Sequence, residues 1–202
     1  MAARAVLFDY GNVLVRWDPR HLYRKLFDDS AEMERFLGGV CTMAWHIHND
    51  RGAEMDERLV PLLEAHPAYA PQIRAFSARY GEMIDGEIAG SIALVDRLAA
   101  RGVPLAMLTN MPGDKIDACF APFTRKHLFD PIVVSGIERV IKPDARIYQI
   151  ALARMGRAAE DVFFIDDSPA NVEGARRVGL AAHLFESPAQ LEAALAAAGL
   201  LG

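Results

Sequence analysis

Ala5-Val6-Leu7-Phe8-Asp9-Tyr10-Gly11-Asn12-Val13-Leu14 is the stretch on which the fold turns. Four apolar residues run without alternation and stop at an acid. A run of that kind suits a strand buried on both faces, as in a parallel sheet covered by helices. The pattern recurs. Pro104-Leu105-Ala106-Met107-Leu108 leads into Thr109-Asn110, Ile132-Val133-Val134 into Ser135-Gly136, and Val162-Phe163-Phe164-Ile165 into Asp166-Asp167. Helical spacing fills the gaps between these runs. Ile92, Val95, Leu98 and Ala99 precede a stop at Gly102, and Ile147, Ile150, Ala151 and Met155 precede Gly156. Ser168-Pro169 and Ser187-Pro188 each read as an N-cap with proline in the first turn, and Ser187 with Gln190 matches a capping box. Strands alternating with helices over 87–202 indicate an α/β, doubly wound, Rossmann-like parallel sheet.

Residues 16–86 read differently. Helix formers and scattered aromatics dominate, prolines 19, 61, 67 and 71 punctuate them, and little resembles a strand. The expectation is a helical cap inserted after the first strand, with a core formed by 1–15 and 87–202. Such an insert would lie over the strand ends, where open α/β sheets bind ligands.

The 202 residues, 52% hydrophobic and 24% charged, have an ordinary globular balance. A net charge of −5 argues against a nucleic-acid partner, which calls for a basic face. No apolar run approaches the roughly 20 residues that span a bilayer, so no membrane partner is expected. The N-terminus lacks the long apolar stretch of a signal peptide. Cys41 and Cys119 form no CxxC pair and read as reduced thiols, which makes a cytoplasmic location the expectation.

Each special polar residue follows a strand-like run, so a parallel sheet gathers them at one edge. Asp9, Thr109, Asp166 and Asp167 converge there, with Lys142 of Ile141-Lys142-Pro143-Asp144 beside them. Three carboxylates in one crevice repel by about 4 kcal/mol per pair at 4 Å and intermediate dielectric. Protonation or a cation must relieve this. Oxygen ligands without Cys or His suit a hard ion, and Mg2+ is the usual one beside phosphate.

Phe8-Asp9-Tyr10-Gly11-Asn12-Val13-Leu14, Leu108-Thr109-Asn110, Lys142-Pro143-Asp144 and Phe164-Ile165-Asp166-Asp167-Ser168-Pro169-Ala170-Asn171 resemble the four ordered signature motifs of the haloacid dehalogenase superfamily. The resemblance implies a phosphatase in which Asp9 is the nucleophile. Mg2+ would be held by Asp9, the Gly11 carbonyl and Asp167, with Asp166 acting mainly through a metal-bound water. Thr109 and the backbone around Asn110 would bind phosphoryl oxygens, in a substrate-binding group that also includes Gly11 and Asn12, and Lys142 would neutralise developing charge. One departure matters. Relatives with general phosphatase activity usually carry a second aspartate where this chain has Gly11. Its loss implies a good leaving group or an acid supplied by the cap.

The Asp-Tyr-Gly-Asn-Val variant is similar to sugar-phosphate phosphatases, so the expected substrate is a small-molecule phosphate ester such as a hexose 1-phosphate, handled by a monomer or homodimer. The alternatives are a metal-independent 2-haloacid dehalogenase using the same Asp9, or a non-catalytic binding protein with a decayed site. In the insert, His46-Ile47-His48-Asn49-Asp50-Arg51 reads mainly as surface or cap loop, with substrate contact as the second reading. Arg16 and Arg51 are candidates for gripping an anion. Trp17 and Trp45 read as aromatic packing that can also shape the pocket.

Overall fold

In the computed structural model, which describes residues 4–201, the first apolar run lies at the middle of a parallel sheet. Along the chain, β1 (Ala5–Phe8) and β2 (Val15–Trp17) are followed by α1 (Arg20–Tyr23), α2 (Ser30–Gly39), α3 (Met43–Asp50), α4 (Met55–Ala65) and α5 (Ala70–Ala78). Next come β3 (Ile84–Glu87), α6 (Ala89–Ala100), β4 (Leu105–Thr109), α7 (Ile116–Phe120), β5 (Ile132–Val134), α8 (Ser135–Glu138) and α9 (Ala145–Met155). The last elements are β6 (Val162–Asp166), α10 (Pro169–Arg177), β7 (Ala181–Leu184) and α11 (Pro188–Ala197).

Five strands pair in parallel in the order β5-β4-β1-β6-β7. Alternate residues of the apolar runs face opposite sides, as a period of two requires. Val6, Phe8, Leu105, Met107, Phe163 and Ile165 join one core with Ile92, Val95 and Leu98 of α6 and Leu191 and Leu195 of α11. Ala5, Leu7, Ala106, Leu108, Val162 and Phe164 join a second core with Ile147, Tyr148 and Ala151 of α9 and Ala175 of α10. Both faces are therefore covered, which is why these strands carry no polar alternation. The first core continues into the insert, where Tyr23 and Phe36 rings lie 4.9 Å apart and Trp45 meets Phe76 edge-on at 5.0 Å.

Three local features differ from the sequence reading. Residues 16–86 do contain strand: β2 and β3 pair antiparallel at the base of the insert, Val15 opposite Glu87. β7 is an edge strand, its Ala-Ala-His-Leu too weakly apolar to stand out. Ser168 sits at the N-cap of α10 with Pro169 in the first turn, but its side chain makes no cap bond. Its N–H instead donates to Asp166 Oδ1 at 2.9 Å. By contrast, Ser187 caps α11 through the Gln190 N–H, and Gly102 (φ 71°) and Gly156 (φ 62°) terminate α6 and α9 in left-handed backbone.

Among the described residues, no helix is long and apolar enough to cross a membrane. Cys41 and Cys119 are both buried and unbridged.

Candidate active site

The sheet register sets the site. Phe8 pairs with Met107 on one side and Ile165 on the other, so Asp9 emerges level with the ends of β4 and β6. The Asp9 N–H donates to the Ile165 carbonyl at 2.8 Å, and its Oδ1 accepts the Tyr10 N–H at 2.7 Å.

Lys142 is fully buried and spends its three donors at this edge. Its Nζ donates to Asp9 Oδ1 at 2.8 Å, Asp166 Oδ2 at 2.6 Å and the Leu108 carbonyl at 3.0 Å. Burial alone would drive its pKa down, but Asp166 and Asp9 outweigh that and hold the amine charged. Asn110 fixes the lysine's backbone: Asn110 Oδ1 accepts the Lys142 N–H at 2.9 Å, and its Nδ2 donates to the Lys142 carbonyl at 3.2 Å. The Asn110 side chain is thus a clamp on the Lys142 loop, while Thr109 is buried at the same strand end.

Asp166 is buried, with Oδ2 on Lys142 and Oδ1 accepting both the Ser168 N–H and Asn171 Nδ2 at 2.9 Å. Asp167, next in the chain, is exposed to the cleft. One carboxylate oxygen each from Asp9, Asp166 and Asp167 lies within 4.8 Å of the others. Three carboxylates against one ammonium leave two negative charges if all are ionised. Burial first, then Asp166 and Asp167, push the Asp9 pKa up despite Lys142. A pocket of hard oxygen donors with that surplus fits a divalent cation such as magnesium or calcium.

Gly11 and Asn12 form the turn beyond Asp9. Asn12 is left-handed (φ 57°), a conformation asparagine tolerates, and its Oδ1 accepts the Trp17 N–H at 3.0 Å. Gly11 needs no such freedom; a Cβ there would meet only Trp17 Cβ at 3.9 Å.

Asp9, Gly11, Asn12, Thr109, Asn110, Lys142 and Asp167 all line a cleft of about 450 Å³, with Asp166 behind them. The insert closes the other side. Here the sequence reading is corrected, because the His46–Arg51 segment is not a loop: residues 43–50 are helix α3. Two positions apart on a helix point to different sides, so His46 is buried in the cleft wall and His48 faces solvent. His46 and His48 therefore do not share a face. Arg16 and Arg51 do not line the cleft; Arg16 donates to the Glu87 carbonyl at 3.0 Å, and Arg51 lies on a separate surface near Arg139. Trp17 does line it, its ring stacked on His46 at 5.5 Å, whereas Trp45 packs in the insert.

Four polar groups at or beside the site were not assigned from sequence. Asn171 holds Asp166, and it stood inside the last motif. Ser135, at the end of β5, obeys the strand-end rule that located Asp9. Its Oγ accepts the Met111 N–H at 3.0 Å and donates to the Asp50 carbonyl at 2.6 Å, tying α3 to the sheet edge. Asp50 and Tyr80 are buried polar residues that only tertiary packing brings to the cleft. Ser135→Ala should leave the Met111 N–H and Asp50 carbonyl without this partner. A loss of about 1–3 kcal/mol in urea unfolding is expected; no loss would mean that the tie carries no stability.

A family model described as haloacid dehalogenase-like hydrolase matches residues 3–179. Acyl-CoA dehydrogenase family member 10 of Mus musculus is 30% identical over 193 residues, covering 88% of this chain but only 17% of its own length. The sesquiterpene phosphatase astK of Aspergillus oryzae is 26% identical over 185 residues, 91% of each chain. Among solved structures, a HAD family enzyme of Bacteroides thetaiotaomicron in magnesium complex superposes with TM-score 0.69 at 16% identity, over 92% of this chain and 94% of that one. The L-2-haloacid dehalogenase of Xanthobacter autotrophicus with chloropropionic acid covalently bound gives TM-score 0.67 at 16% identity, over 99% and 85%. At those identities the two structures speak to fold.

Proposed function

The chain belongs to the haloacid dehalogenase-like hydrolase family, and from that premise we propose that it is a magnesium-dependent phosphatase acting on a small phosphate monoester through Asp9. The observation that carries this is the meeting of Asp9, Asp166 and Asp167 around a buried Lys142, with two negative charges to spare when all three acids are ionised. We take 16–86 as the cap and 1–15 with 87–202 as the core.

Asp9, Asp167 and the Gly11 carbonyl would hold magnesium, which when bound offsets the surplus charge and polarises phosphoryl oxygens. The Asp9 carboxylate attacks phosphorus in line with the ester oxygen, the P–O ester bond breaks, and the phosphoryl group is carried as an aspartyl-phosphate. Lys142, anchored by Asp166 and Asn110, holds its charge beside Asp9 where negative charge builds up. Thr109 and the backbone at Asn110 grip phosphoryl oxygens. Water then attacks phosphorus and frees Asp9.

Turnover of p-nitrophenyl phosphate that needs magnesium and stops with chelator is the test; equal turnover in chelator would sink the reading. The metal should also show in stability. Asp9 is held above its ordinary pKa by burial and its acidic neighbours. A raised carboxyl contributes stability that is full at low pH and lost as pH rises through the neutral range, so the metal-free protein should melt lower at pH 8 than at pH 6. Magnesium competes with the proton for Asp9, so its apparent affinity should rise with pH and remove that drop. A magnesium-induced rise in Tm that shrinks toward pH 8 would contradict this.

A hexose 1-phosphate was the expected substrate. The outer wall, however, carries Met43, Ile47, Trp17 and Ile84, with Met43 57% and Ile47 37% exposed. Such a wall gives sugar hydroxyls few partners and favours an ester with a largely apolar organic part. Similarity to a sesquiterpene phosphatase supports the same preference. A higher kcat/KM for farnesyl monophosphate than for glucose 1-phosphate is expected; the reverse order would restore the sugar. The dehalogenase reading rests on Gly11, but Asp167 would face an incoming carboxylate with like charge. Chloride release from 2-chloropropionate in chelator would put it first.

A further inference from the structure

Resting on the phosphatase reading, we propose that Asp50 of the insert is the general acid and base that Gly11 does not supply. Asp50 ends α3 and lines the same cleft as Asp9, Thr109 and Lys142. Its residue is 8% exposed, and Oδ1 is buried without a hydrogen bond, 3.6 Å from His46 Nε2. A buried carboxylate oxygen lacking a donor is costly unless it carries the proton itself or meets a ligand. Its backbone is pinned by Ser135, so its place relative to the strand ends is fixed.

The groups facing Asp50 come from several elements. His46 lies on the same helix, Tyr80 precedes β3, Cys119 is on α7 and Lys142 precedes α9. Burial holds His46 down to about 4, so it is neutral at pH 7, and the Tyr80 hydroxyl lies 3.1 Å from its Nε2. Burial, with smaller contributions from Asp50 and other acids, keeps Tyr80 and Cys119 protonated, and Asp114 faces both of them. Lys142 is the charged neighbour and pulls Asp50 down, but burial outweighs it and pushes the carboxyl up to about 7. That value serves a group that must give a proton and take one back.

In the first step Asp9 attacks phosphorus, the P–O ester bond breaks, and the Asp50 proton passes to the departing oxygen, releasing an alcohol and leaving Asp50 as carboxylate. In the second step that carboxylate takes a proton from the water attacking phosphorus. The P–O bond to Asp9 breaks, inorganic phosphate leaves, and Asp50 is protonated again.

The test compares two esters, because only a poor leaving group needs the proton. Asp50→Asn should lower the first-turnover rate of alcohol release from farnesyl monophosphate by about 10²–10³-fold, and that of p-nitrophenol from p-nitrophenyl phosphate by less than about threefold. Steady-state turnover of both esters should fall, because hydrolysis of the aspartyl-phosphate loses its base. The first-turnover rate of the wild type on the farnesyl ester should fall above pH about 7, and that limb should vanish in the variant. Gly11 has room for a side chain, so adding Gly11→Asp to Asp50→Asn should recover at least about tenfold on the farnesyl ester. Equal losses in the first-turnover rates of both esters, or no loss on either, would overturn the assignment. Absence of magnesium-dependent turnover in the wild type would instead remove the phosphatase reading beneath it.

Discussion

Asp9→Asn is expected to abolish magnesium-dependent turnover of every phosphate ester, by about 10⁴-fold or more, while leaving the protein folded. The amide has nearly the shape of the carboxylate, so the Tyr10 N–H and Lys142 contacts at 2.7 and 2.8 Å can persist through its oxygen. It cannot attack phosphorus. The variant also removes one of three mutually repelling acids, one already pushed up by burial and by Asp166 and Asp167. In chelator at pH 8 its Tm should therefore be no lower than that of the wild type. Mass spectrometry of acid-quenched protein should find a phosphoryl adduct in the wild type and none in the variant. Residual turnover within tenfold of the wild type would show that another residue is the nucleophile.

Lys142→Met should cost about 3–5 kcal/mol, because removing one partner of a buried charge set leaves the others uncompensated. The Lys142 side chain is 1% exposed and touches two carboxylates and the Leu108 carbonyl, so the methionine replaces every one of those bonds with nothing. For a domain of this size, Tm should fall by roughly 10 °C. Adding Asp166→Asn should recover part of that loss, since Asp166 is the other fully buried charge. Turnover should drop by about 10²–10³-fold in Lys142→Met, as for other preorganised charge stabilisers. A Tm within about 2 °C of the wild type would mean that the carboxylates are protonated in the folded protein and need no counter-ion.

Much of this was legible in the sequence, for a physical reason. Strands β1, β4, β5 and β6 are sheltered on both faces, so their runs carry no polar interruption, and the first polar residue after each marks the sheet's edge. Asp9, Thr109 and Asp166 can be placed that way from the sequence alone. Where exposure is partial the signal fails. β7 is exposed or half-buried along its whole length, and β2 alternates too briefly to read. The insert hid most. His46 and Asp50 are polar residues in buried positions, made tolerable by Tyr80, Ser135 and Lys142, which lie more than 30 residues away in the chain. Nothing local to Met43–Asp50 announces those partners. Ser168 misled in the opposite sense: a good capping residue is present and its N–H donates to the Asp166 carboxylate, but its hydroxyl makes no cap bond.

Phe8 and Ile165 are direct partners across β1 and β6, so Asp9 and Asp166 follow from neighbouring strands about 4.8 Å apart. The backbones that carry these two acids are thus set by strand pairing in the middle of β4-β1-β6. The overlying helices take no part in that pairing. What the helices can change is the company the phosphorus atom keeps. On the proposed reading, α3 carries both the proton donor Asp50 and the Met43 and Ile47 wall, so leaving-group chemistry and choice of molecule would drift together while the nucleophile stands still.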